Sequence, residues 1–109
     1  MKFGFIKTAA AVPTVRIADC EFNRQQTYTL LQRADKEGVE LIVFPELGMT
    51  GYTCADLFGQ HFLLEQAEYH LKKLIADTAH LSILAAVGMP IQINHTLYNC
   101  AVIFQRGKF

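Results

Sequence analysis

Glu46 is the residue whose setting points to chemistry. It follows the unbroken apolar run Leu41-Ile-Val-Phe44 and Pro45, and it precedes a loop containing Gly48 and Gly51. Such a run is too short for a helix and has no polar alternation. It reads as a strand covered on both faces, as in the parallel sheet of an α/β protein. Pro45 pushes Phe44 towards extended geometry and cannot donate to a ladder, which ends the strand there. The acid then falls at the carboxyl end of a buried strand, the side on which open α/β sheets bind ligands. Desolvation at that place would move a carboxyl group towards the range useful for a base at neutral pH. The alternative is an exposed Glu that merely opens a loop; the apolar strand and the two glycines around it favour the base.

The other reactive side chains are weaker candidates. Cys54 follows Glu46 by eight positions in the same loop and could swing near it, although packing is the preferred reading. Cys20 neighbours a helix start, which can lower a thiol pKa, yet no His or Lys stands beside it. Cys100 lies in an apolar strand and is expected in the core. His61, His70, His80 and His95 are scattered without an i, i+4 pair or a His-Glu-x-x-His arrangement, so no metal site is expected. Neither a Gly-x-Gly-x-x-Gly nor a Walker sequence occurs, so no nucleotide site is expected in this chain.

The segment Phe44-Pro-Glu-Leu-Gly-Met-Thr-Gly-Tyr52 resembles the first catalytic motif of the nitrilase, or carbon-nitrogen hydrolase, superfamily. Its continuation Thr53-Cys-Ala-Asp-Leu-Phe58 resembles, more narrowly, the amino-terminal glutaminase domains of glutamine-dependent NAD synthetases. Supporting matches are Ala9-Ala-Ala-Val-Pro13 and Asn23 before the motif, and Val87-Gly-Met-Pro90 and Leu97-Tyr-Asn99 after it. The resemblance implies an α-β-β-α sandwich and amide cleavage by a Glu, Lys and Cys triad through a cysteinyl thioester. It makes Glu46 the general base and gives the position of Cys54 a structural role. It also implies that Tyr52 lines a glutamine pocket, although a Tyr anchoring the loop over the sheet is an equal reading of the ring. Asp56 reads as a helix cap. Asn99 could bond the loop bearing Glu46 without itself being catalytic.

The family's lysine and cysteine would fall beyond Phe109, and Lys108 reads as a surface residue of a hairpin turn. Residues 1–109 are therefore expected to be the N-terminal portion of a longer glutaminase domain, inactive alone. The parent enzyme is expected to take glutamine and to pass ammonia to a C-terminal synthetase domain of the same chain, which uses ATP and magnesium. It is expected to be a homo-oligomer. Two alternatives stand beside this: a stand-alone amidase of the same superfamily, and a non-catalytic α/β module that binds a partner through an open sheet edge.

Composition agrees with one small domain. Half of the 109 residues are hydrophobic, enough to bury a core, and ten Lys plus Arg balance ten Asp plus Glu. That balance gives no net field to recruit nucleic acid or an anionic membrane. The amino terminus lacks signal-peptide character and no apolar run approaches a membrane span, so a cytoplasmic location is expected. Three cysteines without a Cys-x-x-Cys argue against a disulfide framework or a zinc site.

The elements that must position Glu46 are legible in order. Phe3 to Val12 reads as a strand closed by Pro13. Asp19 offers an N-cap, with Glu21 in the first turn, for a helix that Gly38 stops. Asn23, Thr27, Leu30, Leu31 and Ala34 share its buried face; Arg24, Gln25, Gln32, Arg33 and Lys36 are assigned to a solvated one. Phe62 to Thr78 is a second helix with a stripe of Leu64, Ala67, Leu71, Leu74 and Ile75 and an outer Glu68–Lys72 pair. Leu81 to Met89 reads as a second fully buried strand, parallel to the first through the helix. Thr96 to Phe104 returns, and Arg106-Gly107 begins another turn. A chain entering a hairpin there should leave an apolar sheet edge open.

Overall fold

A computed structural model describes residues 4–46, 48–50, 61–94 and 96–109. The elements run β1 (Thr8–Ala10), α1 (Cys20–Lys36), β2 (Leu41–Val43), α2 (His61–Asp77), β3 (Leu84–Ile93) and β4 (Thr96–Phe104). The four strands form one sheet in the order β1-β2-β3-β4. β1 and β2, and β2 and β3, pair in parallel, with Ala9 opposite Ile42 and Ile42 opposite Ala85. β4 returns antiparallel to β3, from Ile93–Thr96 at the turn to Ala85–Phe104 at the far end.

Helix α1 begins and ends where its sequence directs. The Asp19 carboxylate accepts from the Phe22 N–H at 3.0 Å, satisfying one of the free donors of the first turn. At the other end Gly38 has φ of +81°, a left-handed conformation that costs glycine no Cβ clash. The Val39 N–H then donates to the Ala34 carbonyl at 3.0 Å and the Gly38 N–H to the Asp35 carbonyl at 3.1 Å. Val39 and Ala34 are both buried, which adds the apolar contact that accompanies this helix ending. The Asp35 carboxylate reaches across to Ser82 and Ile83, accepting their N–H groups at 3.2 and 3.1 Å and so fixing the entry to β3.

Both helices contribute to a single core. Leu31 and Ala34 of α1, and Leu63, Ala67, Leu71, Leu74 and Ile75 of α2, cluster with Ile42, Ala85, Val87, Met89 and Phe104 of the sheet. Each fully buried leucine of this set contributes about 1.5–3 kcal/mol relative to exposure. Because side chains alternate across a strand, the neighbours of these residues point the other way. Val43 and Ile103 there are 46% and 56% exposed. The expectation that β2 and β3 are covered on both faces is therefore corrected: the helices cover one face, and among the described residues the other is largely open. The run Leu41–Phe44 carries apolar residues for both faces, but sequence pattern cannot say what lies against the second.

The bounds of two strands also differ from expectation, β3 beginning at Leu84 rather than Leu81. β1 is only three residues long, with Phe5 and Ile6 exposed before it. β3 does not stop at Pro90 but continues to Ile93. The carbonyl of Ala86 accepts from Phe44 and that of Gly88 from Met49, so by alternation the Pro90 nitrogen faces the β2 side. β2 pairing has ended by then, and the missing N–H removes no ladder bond. The turn after β4 is as expected: Arg106 and Gly107 have φ of 53° and 82°, and Gln105 and Lys108 exchange backbone bonds of 2.8 and 3.0 Å.

Candidate functional site

Glu46 lies three residues past Val43, at the carboxyl end of β2, as its sequence setting directs. Strand β2 is extended by one residue through the Phe44 N–H, which donates to the Ala86 carbonyl at 2.9 Å. The chain then turns at residues 48–50 and is tied down twice. The Met49 N–H approaches the Gly88 carbonyl at 3.4 Å, and the Thr50 carbonyl accepts from the Ala18 N–H at 2.8 Å. Met49 and Thr50 are both buried.

Asn23 holds the arrangement together. Fully buried on α1, it donates through Nδ2 to the carbonyls of Arg16 and Met49, both at 2.9 Å, and accepts the Arg16 N–H at 2.7 Å. One side chain thereby joins the segment before α1 to the loop that carries Glu46. In the sequence Asn23 was legible only as a member of the buried face and as a supporting match. Its place at the head of the stripe that faces the core is the signal for this role, since a buried amide must find partners.

A recess of about 300 Å³ lies beside Glu46, with Val43, Phe44, Ala86, Gly88, Asn99 and Ala101 in its wall. Val43, Ala86, Gly88, Asn99 and Ala101 fall on the sheet face away from the helices, and small side chains on β3 and β4 leave the space. Asn99 of β4, 53 positions on in sequence, donates from Nδ2 to Oε1 of Glu46. Glu46 itself is exposed. The expectation that burial desolvates this carboxylate is thus corrected, for the same reason that β2 is open on this side. It nonetheless stands on the rim of the recess rather than apart from it.

The remaining candidates separate. Lys108 lies past Phe104, which pairs with Ala85 at the start of β3, and so sits at the opposite end of the sheet from Glu46. Cys20 is buried at the start of α1; Cys100 contributes to the wall of the recess beside Glu46, but it is half-buried and pairs with the core residue Met89, which by strand alternation puts its side chain on the helix-covered face. Both placements agree with packing roles. Tyr52, Cys54, Asp56 and His95 lie outside the described residues, as does the side chain of His61. Among the described residues no three His, Cys, Asp or Glu side chains gather as a metal-binding group, and no helix is long and apolar enough to cross a membrane.

Arg24 corrects the solvated-face assignment on α1. It is 8% exposed, and its Nε–H donates to Nδ1 of His70 on α2 at 3.0 Å while its guanidinium lies 3.7 Å from Asp77. Arg24 borders the buried stripe, and α2 packs across that border. Helical periodicity on α1 alone cannot register the arrival of a second helix.

The sequence profile of the carbon-nitrogen hydrolase family matches residues 7–109. The chain is 34% identical over 104 residues to a glutamine-dependent NAD(+) synthetase of Mycobacterium leprae, spanning 95% of this chain and 15% of that protein. It is similar to the crystal structure of a glutamine-dependent NAD(+) synthetase from Cytophaga hutchinsonii, with a TM-score of 0.86 and 28% identity over 94% of this chain and 17% of that one. A glutamine-dependent NAD+ synthetase from Acinetobacter baumannii, solved with adenosine diphosphate, superposes with a TM-score of 0.73 at 25% identity over 91% of this chain and 19% of that one. The chain thus spans about one-sixth of the length of the proteins it matches, and its helix-covered α/β sheet is part of a nitrilase-like fold.

Proposed function

Because the chain belongs to the carbon-nitrogen hydrolase family, we propose that it forms the N-terminal portion of the glutamine-hydrolysing domain in a glutamine-dependent NAD synthetase. Glu46 is the general base. It takes the proton of a cysteine thiol supplied by polypeptide after this chain, and the thiolate attacks the side-chain amide carbon of glutamine. A lysine from the same later segment faces the oxyanion of the tetrahedral adduct. The carbon–nitrogen bond breaks as Glu46 returns its proton to the departing amine, releasing ammonia. Water, deprotonated by the same carboxylate, then cleaves the thioester to glutamate.

Tyr52 borders the glutamine site in this reading. The ammonia passes to a synthetase domain of the same chain that uses ATP and magnesium, in a cytoplasmic homo-oligomer. Support for the ATP step comes from the similar Acinetobacter baumannii synthetase, solved with adenosine diphosphate.

The observation that carries the proposal is the position of Glu46. It stands at the carboxyl end of a central parallel strand, on the rim of a recess, in a chain that aligns over 95% of its length with a synthetase of this kind. The test is glutamine hydrolysis by the full-length protein and by its Glu46→Gln variant. Ammonia release from glutamine, lost in the variant, supports the assignment. Turnover retained without the carboxylate overturns Glu46 as base, and preference for another small amide over glutamine overturns the substrate.

A further inference from the structure

An exposed carboxylate on a loop end has several rotamers and two equivalent oxygens, and a base that must meet one particular thiol proton can use only one of those arrangements. Among the described residues, one side chain outside the loop chooses among them. β4 supplies the missing constraint, since Asn99 donates from its amide nitrogen to one carboxylate oxygen of Glu46.

We propose that Asn99 is the positioning residue for Glu46: its amide occupies Oε1 and thereby leaves Oε2 as the oxygen that accepts and returns the proton. This rests on the preceding reading of Glu46 as the base. Three features of the molecule argue for it. Asn99 belongs to a strand whose register with β3 is continuous over nine pairs, so its side chain starts from a rigid element rather than from a second loop. Its partner across the ladder is Pro90, and of its neighbours on the same face the two that share the recess with Glu46 are Gly88 and Ala101, small enough to leave the line between the amide and the carboxylate clear. The chemistry also has the right sign: a primary amide has two N–H donors to give to an anionic acceptor, and it neither competes for the transferred proton nor changes charge with pH.

The test is made in the full-length protein with glutamine as substrate. Asn99→Leu removes the donor at similar volume. Asn99→Asp keeps size and shape but presents a second carboxylate to the first. Both should lower kcat by about 10- to 100-fold, the range of a misplaced general base. KM for glutamine should stay within about twofold, because substrate binding does not pass through this contact. Asn99→Gln, which keeps the amide, should recover a part of kcat that Asn99→Leu does not. A kcat for Asn99→Asp within about twofold of the parent overturns the proposal, as does a loss in both variants that appears in KM alone. If the parent hydrolyses glutamine and Glu46→Gln does not, those results fall on Asn99 alone. If Glu46→Gln still turns over, it is the base assignment that has failed.

Discussion

The Arg24 Nε–H donates to Nδ1 of His70 at 3.0 Å, across the contact between α1 and α2. That nitrogen can accept only while it is unprotonated, so the contact requires a neutral imidazole with its proton on Nε2. Burial holds the His70 pKa below its usual 6.5, and the charge of Arg24 adds to this, with Lys73 a smaller contributor in the same direction. Glu21 and Asp19, from the start of α1, act oppositely. Asp77 faces the Arg24 guanidinium and Lys73, at 3.7 and 3.5 Å, and Tyr69 sets its ring edge-on to the imidazole.

Stability should therefore depend on pH through His70, with a definite sign. Between the lowered folded pKa and the unfolded value of about 6.5, the unfolded chain binds more protons. The contribution is complete above about pH 6.5 and is lost as pH falls through the folded pKa. His70→Asn offers a non-titrating acceptor near the place of Nδ1 and should flatten this part of the profile. Urea denaturation of both proteins from pH 7.5 to 5 is the measurement, and equal slopes would refute the role of His70.

Asn23→Leu should destabilise the protein by about 3 kcal/mol, since it strands the buried Met49 carbonyl and the part-buried backbone groups of Arg16 that the amide now satisfies. The exposed Gln25→Ala, two positions along the same helix, should stay within about 0.5 kcal/mol. Chemical denaturation of the pair separates a buried polar hub from a general effect of mutating α1.

Asp35→Ala should open the start of β3. The carboxylate accepts from the Ser82 and Ile83 amides, so its loss should speed hydrogen exchange at these two positions, with a cost of about 1–2 kcal/mol in global stability. Exchange at Ile42 and Val87, in the centre of the sheet, should change only through the global loss.

Leu74→Ala should cost about 3–5 kcal/mol, the range for a fully buried leucine whose cavity cannot collapse. Tyr69→Ala, on the outer side of α2 at 59% exposure, should cost much less. Thermal unfolding of the two variants checks the assignment of the α2 faces.

Much of the framework was local and therefore legible. Asp19 and Gly38 delimit α1 through contacts within a few residues of themselves, so their types alone announced its ends. The stripes on α1 and α2 follow from helical spacing, except in the first turn of α2, where Leu63 rather than Leu64 is buried, and the parallel pairing of β2 with β3 follows from two apolar runs separated by a helix. Glu46 was placed at a strand end by Pro45, an effect of one ring on its neighbour. Pro90 misled for a related reason: a proline ends a strand only where its missing N–H was needed, and that depends on which strand lies alongside.

By itself the sequence determined the order of elements, the family motif around Glu46 and the residue types available to a hydrolase, because these depend on short-range geometry and on side-chain chemistry. Tertiary structure alone decided that Arg24 lies between two helices, that Asn23 ties the Glu46 loop to α1 and that one sheet face is open; the bond of Asn99 to the Glu46 loop, 53 positions away, was one option in the sequence, and the structure shows which carboxylate oxygen it meets. These are contacts between distant segments, set by how helices and strands pack. No periodicity within a segment encodes which other segment will arrive beside it.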